Sequence, residues 1–241
     1  MNGTPSDQQL LQIVNGPAPN AITDVVDMMK SIDQLLPGND GLRWFNLLYL
    51  MVTQQVGTQP SGAAWNNAQW LERLDVVFAR LYFAAIAGFI NHSADTPSSW
   101  NALFESRFHA GVDRIQFALA GMNAHINHDL ALALLQTDDD LQVTPDLNSP
   151  EHDDYERVNG LLKTVLPAAL QTLATGIVGE LAQDTGKIGR FLAIWDIKVA
   201  RDLAWEFADH LRNLNGVSRT LALTAQDQLT GVIGRSLLLP V

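Results

Sequence analysis

Residues 114–135 read RIQFALAGMNAHINHDLALALL, and this stretch decides the fold class. Phe117 to Ala120 lead into it and Ala131 to Leu135 follow it, all apolar. Nothing in it alternates with the period of two that a half-buried strand needs. On a helical wheel of about 100° per residue, apolar side chains cover most of the circumference. A helix that is apolar nearly all round is buried on every side. The spacing therefore predicts one long helix over about 108–136, with a break at Gly121, packed inside an all-α protein.

The rest of the chain supplies helices to surround it. Ile22, Val25, Val26, Met29, Ile32 and Leu35 fall at helical spacing, predicting a helix over about 20–36. Pro37-Gly38-Asn39-Asp40-Gly41 stops it, and further helices are expected over about 42–56 and 66–90. A helical turn begins at Trp100. The longest loop is expected over 137–150, and Ser149-Pro150-Glu151 opens the next helix with a cap, a first-position proline and an acid. That helix should kink at Pro167, which has no N–H to donate. Two more follow over about 189–212 and 218–238, divided by Asn215-Gly216. The expectation is a single-domain bundle of about seven helices over 19–241, around a buried central helix, after a flexible segment over 1–18.

Composition narrows the function. The chain has 241 residues, 47% hydrophobic and 17% charged, far from a disordered composition. It contains no cysteine, which excludes disulfides, thiol catalysis and cysteine-bound zinc. Fifteen basic against 26 acidic residues leave a net charge of −11, so no nucleic-acid partner is expected. No apolar run approaches the roughly 18 residues of a membrane span. The opening MNGTPSDQQLLQ shows no basic patch followed by an apolar region, and a cytoplasmic location is expected.

The chemistry concentrates at GMNAHINHDL, 121–130. His125 and Asp129 are four apart, so imidazole and carboxylate are neighbours, about 5–6 Å apart at Cβ. That spacing suits two ligands of one metal, or a carboxylate orienting a histidine base. A satisfied polar network that fixes helix register would look the same. Arg114 shares the face of His125; Asn123 and Asn127 lie roughly opposite, reaching it only if the helix bends at Gly121; His128 lies between. From elsewhere, Asp202 and Glu206 in WDIKVARDLAWEFADH are the best carboxylates to complete a divalent metal site such as zinc. With Arg201 and Asp209 they also fit an ordinary solvated face. Asp138-Asp139-Asp140 lacks the alternating ligands of a calcium loop and reads as solvated acid. Arg80, on the long aromatic helix, reads as a buried partner for a carboxylate.

Five segments carry a likeness to a known family: DGLRWFNLLYLMVTQQV (40–56), RLDVVFARLYFAAI (73–86), RIQFALAGMNAHINHDLALAL (114–134), HDDYERVNGLL (152–162) and AW (204–205). Together they resemble domain-of-unknown-function family 5995, found mainly in actinobacteria and other bacteria. The likeness covers most of the chain and is most specific from Gln116 to Leu130. The family pattern has proline after the Asp-Leu pair, where this chain has Ala131. The family name implies no reaction, but the likeness centres on the polar motif rather than on plain leucines. A weaker analogy is to helical zinc phospholipases and nucleases, which also carry HxxxD on a core helix. The chain lacks their further histidine after a proline and their N-terminal tryptophan ligand.

The expectation is an enzyme acting on a small, largely apolar molecule between the 108–136 and 189–212 helices, walled by Trp44, Phe78, Tyr82 and Trp205. With a metal, His125 and Asp129, helped by His128 or by Asp202 and Glu206, would activate water for hydrolysis. Without one, His125 would be a general base oriented by Asp129, with Arg114, Asn123 or Asn127 holding a substrate oxygen, as in the cyclisation of a secondary metabolite. The other class is a non-enzymatic binding or scaffold protein, homodimeric through its weakly charged surface.

Overall fold

The computed structural model describes residues 5–57, 65–175 and 196–240. Among them every regular element is helical: α1 (Pro5–Val14), α2 (Ile22–Leu35), α3 (Gly41–Gly57), α4 (Ala68–Ile90), α5 (Ser98–Ser106), α6 (Arg114–Ala124), a π-helical turn (His125–Asp129), α7 (Leu130–Leu141), α8 (Pro150–Thr175), α9 (Ile197–Arg212) and α10 (Gly216–Leu237). No helix among these residues is long and apolar enough to cross a membrane.

Local chemistry sets the starts. The Asn67 side chain accepts from the Trp70 amide at 3.1 Å to open α4. At α6 the Asp113 carboxylate and Gln116 form a reciprocal box, in which Gln116 Oε1 accepts from the Asp113 amide at 2.9 Å. Ser149 Oγ accepts from the His152 amide at α8, as the Ser-Pro-Glu signal predicts. Asp196 accepts from the amides of Lys198 and Val199 at α9. The expected extension of this helix back to 189, with Trp195, lies outside the described residues.

The quoted stretch becomes the rod α6–π–α7. Every residue from Ile115 to Ala124 is buried, as are His125, Ile126, His128 and Asp129 in the π turn. The rod packs on α3, α5 and α10 along its first half, on α4, α9 and α10 at the π turn, and on α4 and α9 along its second half. It does not break at Gly121. A Cβ there would come within 2.2 Å of the Phe45 ring, so the glycine lets α3 and α6 approach closely. The irregularity comes four residues later, where the Leu130 amide bonds to the His125 carbonyl and widens the turn. Ala131, where the family pattern has proline, continues the helix.

Several expectations are corrected. Residues 5–14, expected to be flexible, form α1, with Leu10 fully buried and Asp7 paired with Arg107. The expected loop from 137 is helical to Leu141, because Asp138 is not solvated: it accepts from Trp70 Nε1 at 2.8 Å and pairs with Arg212. Arg80 finds no carboxylate partner among the described residues; it donates to the Pro19 carbonyl at 2.6 and 2.9 Å. The expected helix through Pro167 is present: α8 contains the proline and continues to Thr175.

Candidate functional site

His125 opens the π turn, and Asp129 closes it. His125 Nδ1 lies 3.0 Å from Asp129 Oδ2. Trp100, from α5, donates its indole N–H to the same oxygen at 2.9 Å. With Asp129 ionised, two donors converge on one carboxylate oxygen, which places the imidazole proton on Nδ1 and leaves a lone pair on Nε2. That nitrogen is sealed from solvent and has no hydrogen-bond partner among the described residues. Burial holds the imidazole well below its ordinary pKa, so the ring is neutral. Burial also pushes Asp129 up, opposed by the Trp100 hydrogen bond.

Aromatic rings fix the imidazole. Phe78 stacks parallel to it at 3.4 Å between centroids, and Tyr49 meets it edge-on at 4.6 Å. Phe45, held in place over Gly121, and Trp100 complete the cage at 5.7 and 5.9 Å.

The ring borders a cavity of about 90 Å³ among α3, α4, the rod, α8 and α9. One water needs roughly 10–15 Å³ on such a measure, so several waters or a small organic group fit. Leu48, Val52, Val158, Leu162, Leu166 and Ile197 make most of the wall. The polar groups in it are His125, Tyr49, Thr53, Asp75 and Arg201. Asp75 is enclosed by protein yet keeps accessible surface, because that surface faces the cavity. Desolvation pushes its carboxyl up to about 7, although Arg201 pulls the other way. Burial, then the charge on Asp75, holds the Tyr49 phenol well above its usual range.

The site gathers fewer of the sequence candidates than expected. Arg114 is at the far end of α6, with its guanidinium 4.4 Å from the Trp44 ring; eleven residues of helix, roughly 16 Å, separate it from His125. Asn123 donates to the Thr230 carbonyl at 2.8 Å and accepts from Asn127 at 3.0 Å, both facing α10. His128 faces Asp227 at 3.8 Å. Asp202 pairs with Lys198 at 2.8 Å, and Glu206 is exposed. The five metal candidates therefore point to three different environments. No group of three or more His, Asp or Glu side chains poised for a metal occurs among the described residues. Of the expected walls only Phe78 lines the cavity; Trp205 packs on Trp70 and Tyr155 instead.

The model of a family of unknown function, DUF5995, matches residues 22–240. The chain belongs to this family. The match takes in the whole cavity and the GMNAHINHDL motif, confirming the resemblance carried by that motif. Comparison with curated proteins and with solved structures found no match.

In this DUF5995 protein, sequence reasoning missed Tyr49, Asp75, Trp100 and Arg201 as site residues. Two of them left a signal. Asp75 interrupts the apolar run Leu74 to Phe78. Arg201 stands four residues from Ile197 and four from Trp205, on the buried stripe of α9 rather than its solvated face. Trp100 and Tyr49 left none, since aromatic residues on apolar faces are ordinary core.

Proposed function

We propose that the protein is an enzyme acting on a small, largely apolar molecule held in this cavity, with His125 as general base and Asp129 as the residue that orients it. The reading takes residues 19–241 as a single cytoplasmic domain around the His125 helix. One observation carries it: a neutral, carboxylate-backed imidazole whose outer nitrogen is unpartnered among the described residues, beside a partly open, mostly apolar cavity. A sealed acceptor without a partner costs about 1–3 kcal/mol, so it calls for a reason. Two other sealed atoms without partners, Thr137 Oγ1 and Trp205 Nε1, belong to residues that do not line the cavity.

The chemistry follows from the geometry. Nε2 takes a proton from a bound substrate, and the imidazolium so formed is stabilised by Asp129 across the Nδ1 bond. Trp100 keeps Asp129 in place for this. The nitrogen itself is closed over, so a substrate reaches it by turning a caging ring; Tyr49 is the half-buried one among the caging rings at the cavity. Proton removal in an apolar chamber suits isomerisation or cyclisation. The metal-dependent hydrolysis expected from HxxxD finds less support, because Asp129 is engaged by Trp100 and His125 and no third ligand adjoins them among the described residues.

The test uses the full chain in deuterium oxide with an organic extract of bacterial cells, read by untargeted mass spectrometry. The wild type should label or consume at least one small apolar component. His125→Gln and Asp129→Asn, verified as folded, should lose that change by about 100-fold or more. Equal labelling by folded His125→Gln, or no labelling by the wild type, sinks the proposal.

A further inference from the structure

We propose that the cavity binds a small apolar monocarboxylate, with Arg201 as the anchor for its carboxylate and the aliphatic wall of α3, α8 and α9 around its hydrocarbon body. The inference rests on the cavity being the working site and adds the class of its substrate.

Arg201 is 6% exposed and is one of the residues that line the cavity. Its Nε donates to Asn159 Oδ1, and Nη2 reaches the Tyr155 carbonyl at 3.5 Å. The plane stacks on the Tyr155 ring at 4.1 Å, and the Tyr155 hydroxyl donates to the Arg201 carbonyl at 2.7 Å. These neutral contacts fix the fork rigidly on one edge. They leave Nη1 without a hydrogen-bond partner among the described residues, and it is not one of the sealed orphan atoms, so it keeps accessible surface. No carboxylate oxygen lies within 4.0 Å of the guanidinium among the described residues.

A guanidinium cannot shed its proton, so a buried one needs an anion. The buried Arg107 meets Asp40 and the half-buried Arg212 meets Asp138, whereas the half-buried Arg80 is held by neutral oxygens on the protein's outer side and does not line the cavity. Asp75 is the acid that feels Arg201 most, yet it stops short of a pair, and its burial leaves it partly protonated near neutrality. The remaining polar lining, Tyr49, Thr53 and His125, is uncharged. A cavity with one fixed cation among the described residues, a rigid planar fork and apolar walls fits a carboxylate on a hydrocarbon body. An amine is repelled, and a neutral amide leaves the guanidinium unmatched.

The experiment is calorimetric titration of the full chain with phenylacetate, its primary amide, and 2-phenylethylamine. The acid should bind at least about tenfold more tightly than the amide, with no detectable binding of the amine. Arg201→Gln should lose the acid by about tenfold or more. Because Arg201 packs on Tyr155, that variant can fail to fold, so Asp75→Asn provides the second measurement. Removing the competing carboxyl should tighten phenylacetate binding several-fold. Equal affinity for acid and amide, preference for the amine, no acid binding up to millimolar concentration, or weaker binding in Asp75→Asn each overturns the anchor. Acid binding without deuterium labelling keeps the anchor and discards the base. Labelling without preference for the acid does the reverse.

Discussion

Two faces of one helical rod carry nearly the same polar residues and come to different ends. On one, Asn123, Asn127 and His128 look toward α10. Asn123 meets the Thr230 carbonyl, Gln226 donates to the Asn127 carbonyl at 2.8 Å, and His128 faces Asp227. Asp227 in turn accepts from the amides of Ser98 and Ser99 and so caps α5. This face is a closed network that locks α10 and α5 to the rod. On the other face, His125 and Asp129 are satisfied only inward, through Trp100, and the outer imidazole nitrogen is left over beside a cavity. Polar residues in a buried helix are therefore not by themselves a sign of chemistry. An unmatched atom next to a cavity is the distinguishing feature, because the closed network gains nothing from a ligand and the open one does.

The contrast can be broken at four points. The largest effect should come from Gly121→Val, which drives a side chain into Phe45 and pushes the cage off His125. A loss of about 3 kcal/mol is expected in denaturant unfolding. A loss under about 1 kcal/mol would mean that the cage is loosely packed.

Next comes Asp75. Its folded pKa is raised, so between the ordinary carboxylate value and about 7 the folded chain holds a proton that the unfolded chain releases. Stability from this group is present at low pH and is lost as pH rises through that window. Asp75→Asn should remove this slope and stabilise the protein at pH 8 by about 2 kcal/mol, roughly half of what a shift of this size gives in a dry interior, since the carboxyl keeps cavity solvent. Parallel pH profiles of wild type and variant would deny the burial.

The closed network gives a smaller effect. Asn123→Ala removes two hydrogen bonds from a buried site and should cost about 1–2 kcal/mol. Smallest of all should be His125→Phe. It deletes an unmatched acceptor while taking one donor from Asp129, and these oppose each other to within about 1 kcal/mol. If thermal unfolding shows His125→Phe to be as damaging as Asn123→Ala, the two faces are equivalent and the asymmetry is lost.

Much of this was legible in the order of residues. Helical periodicity, the Ser149-Pro150-Glu151 start and the apolar circumference of 114–135 each report a local free-energy preference, and local preferences can be read along a chain. The i, i+4 proximity of His125 and Asp129 is likewise a property of one helix. What tertiary structure alone decided was which face would be matched. Asp129 is claimed by Trp100, 29 residues away, and Asn123 by Thr230, 107 residues away. The wheel put Arg114 beside His125 in angle but ignored the distance along the axis. It grouped Arg201 with Asp202 and Glu206, as metal partners or as a solvated face, and did not separate the buried Arg201 from the exposed Glu206. The chain by itself settled that a buried helix would carry histidine, asparagine and aspartate. Only packing, which brings distant residues to some of those atoms and none to His125 Nε2, decided where that helix stays chemically unfinished, because hydrogen-bond satisfaction in a core depends on neighbours that sequence separation does not reveal.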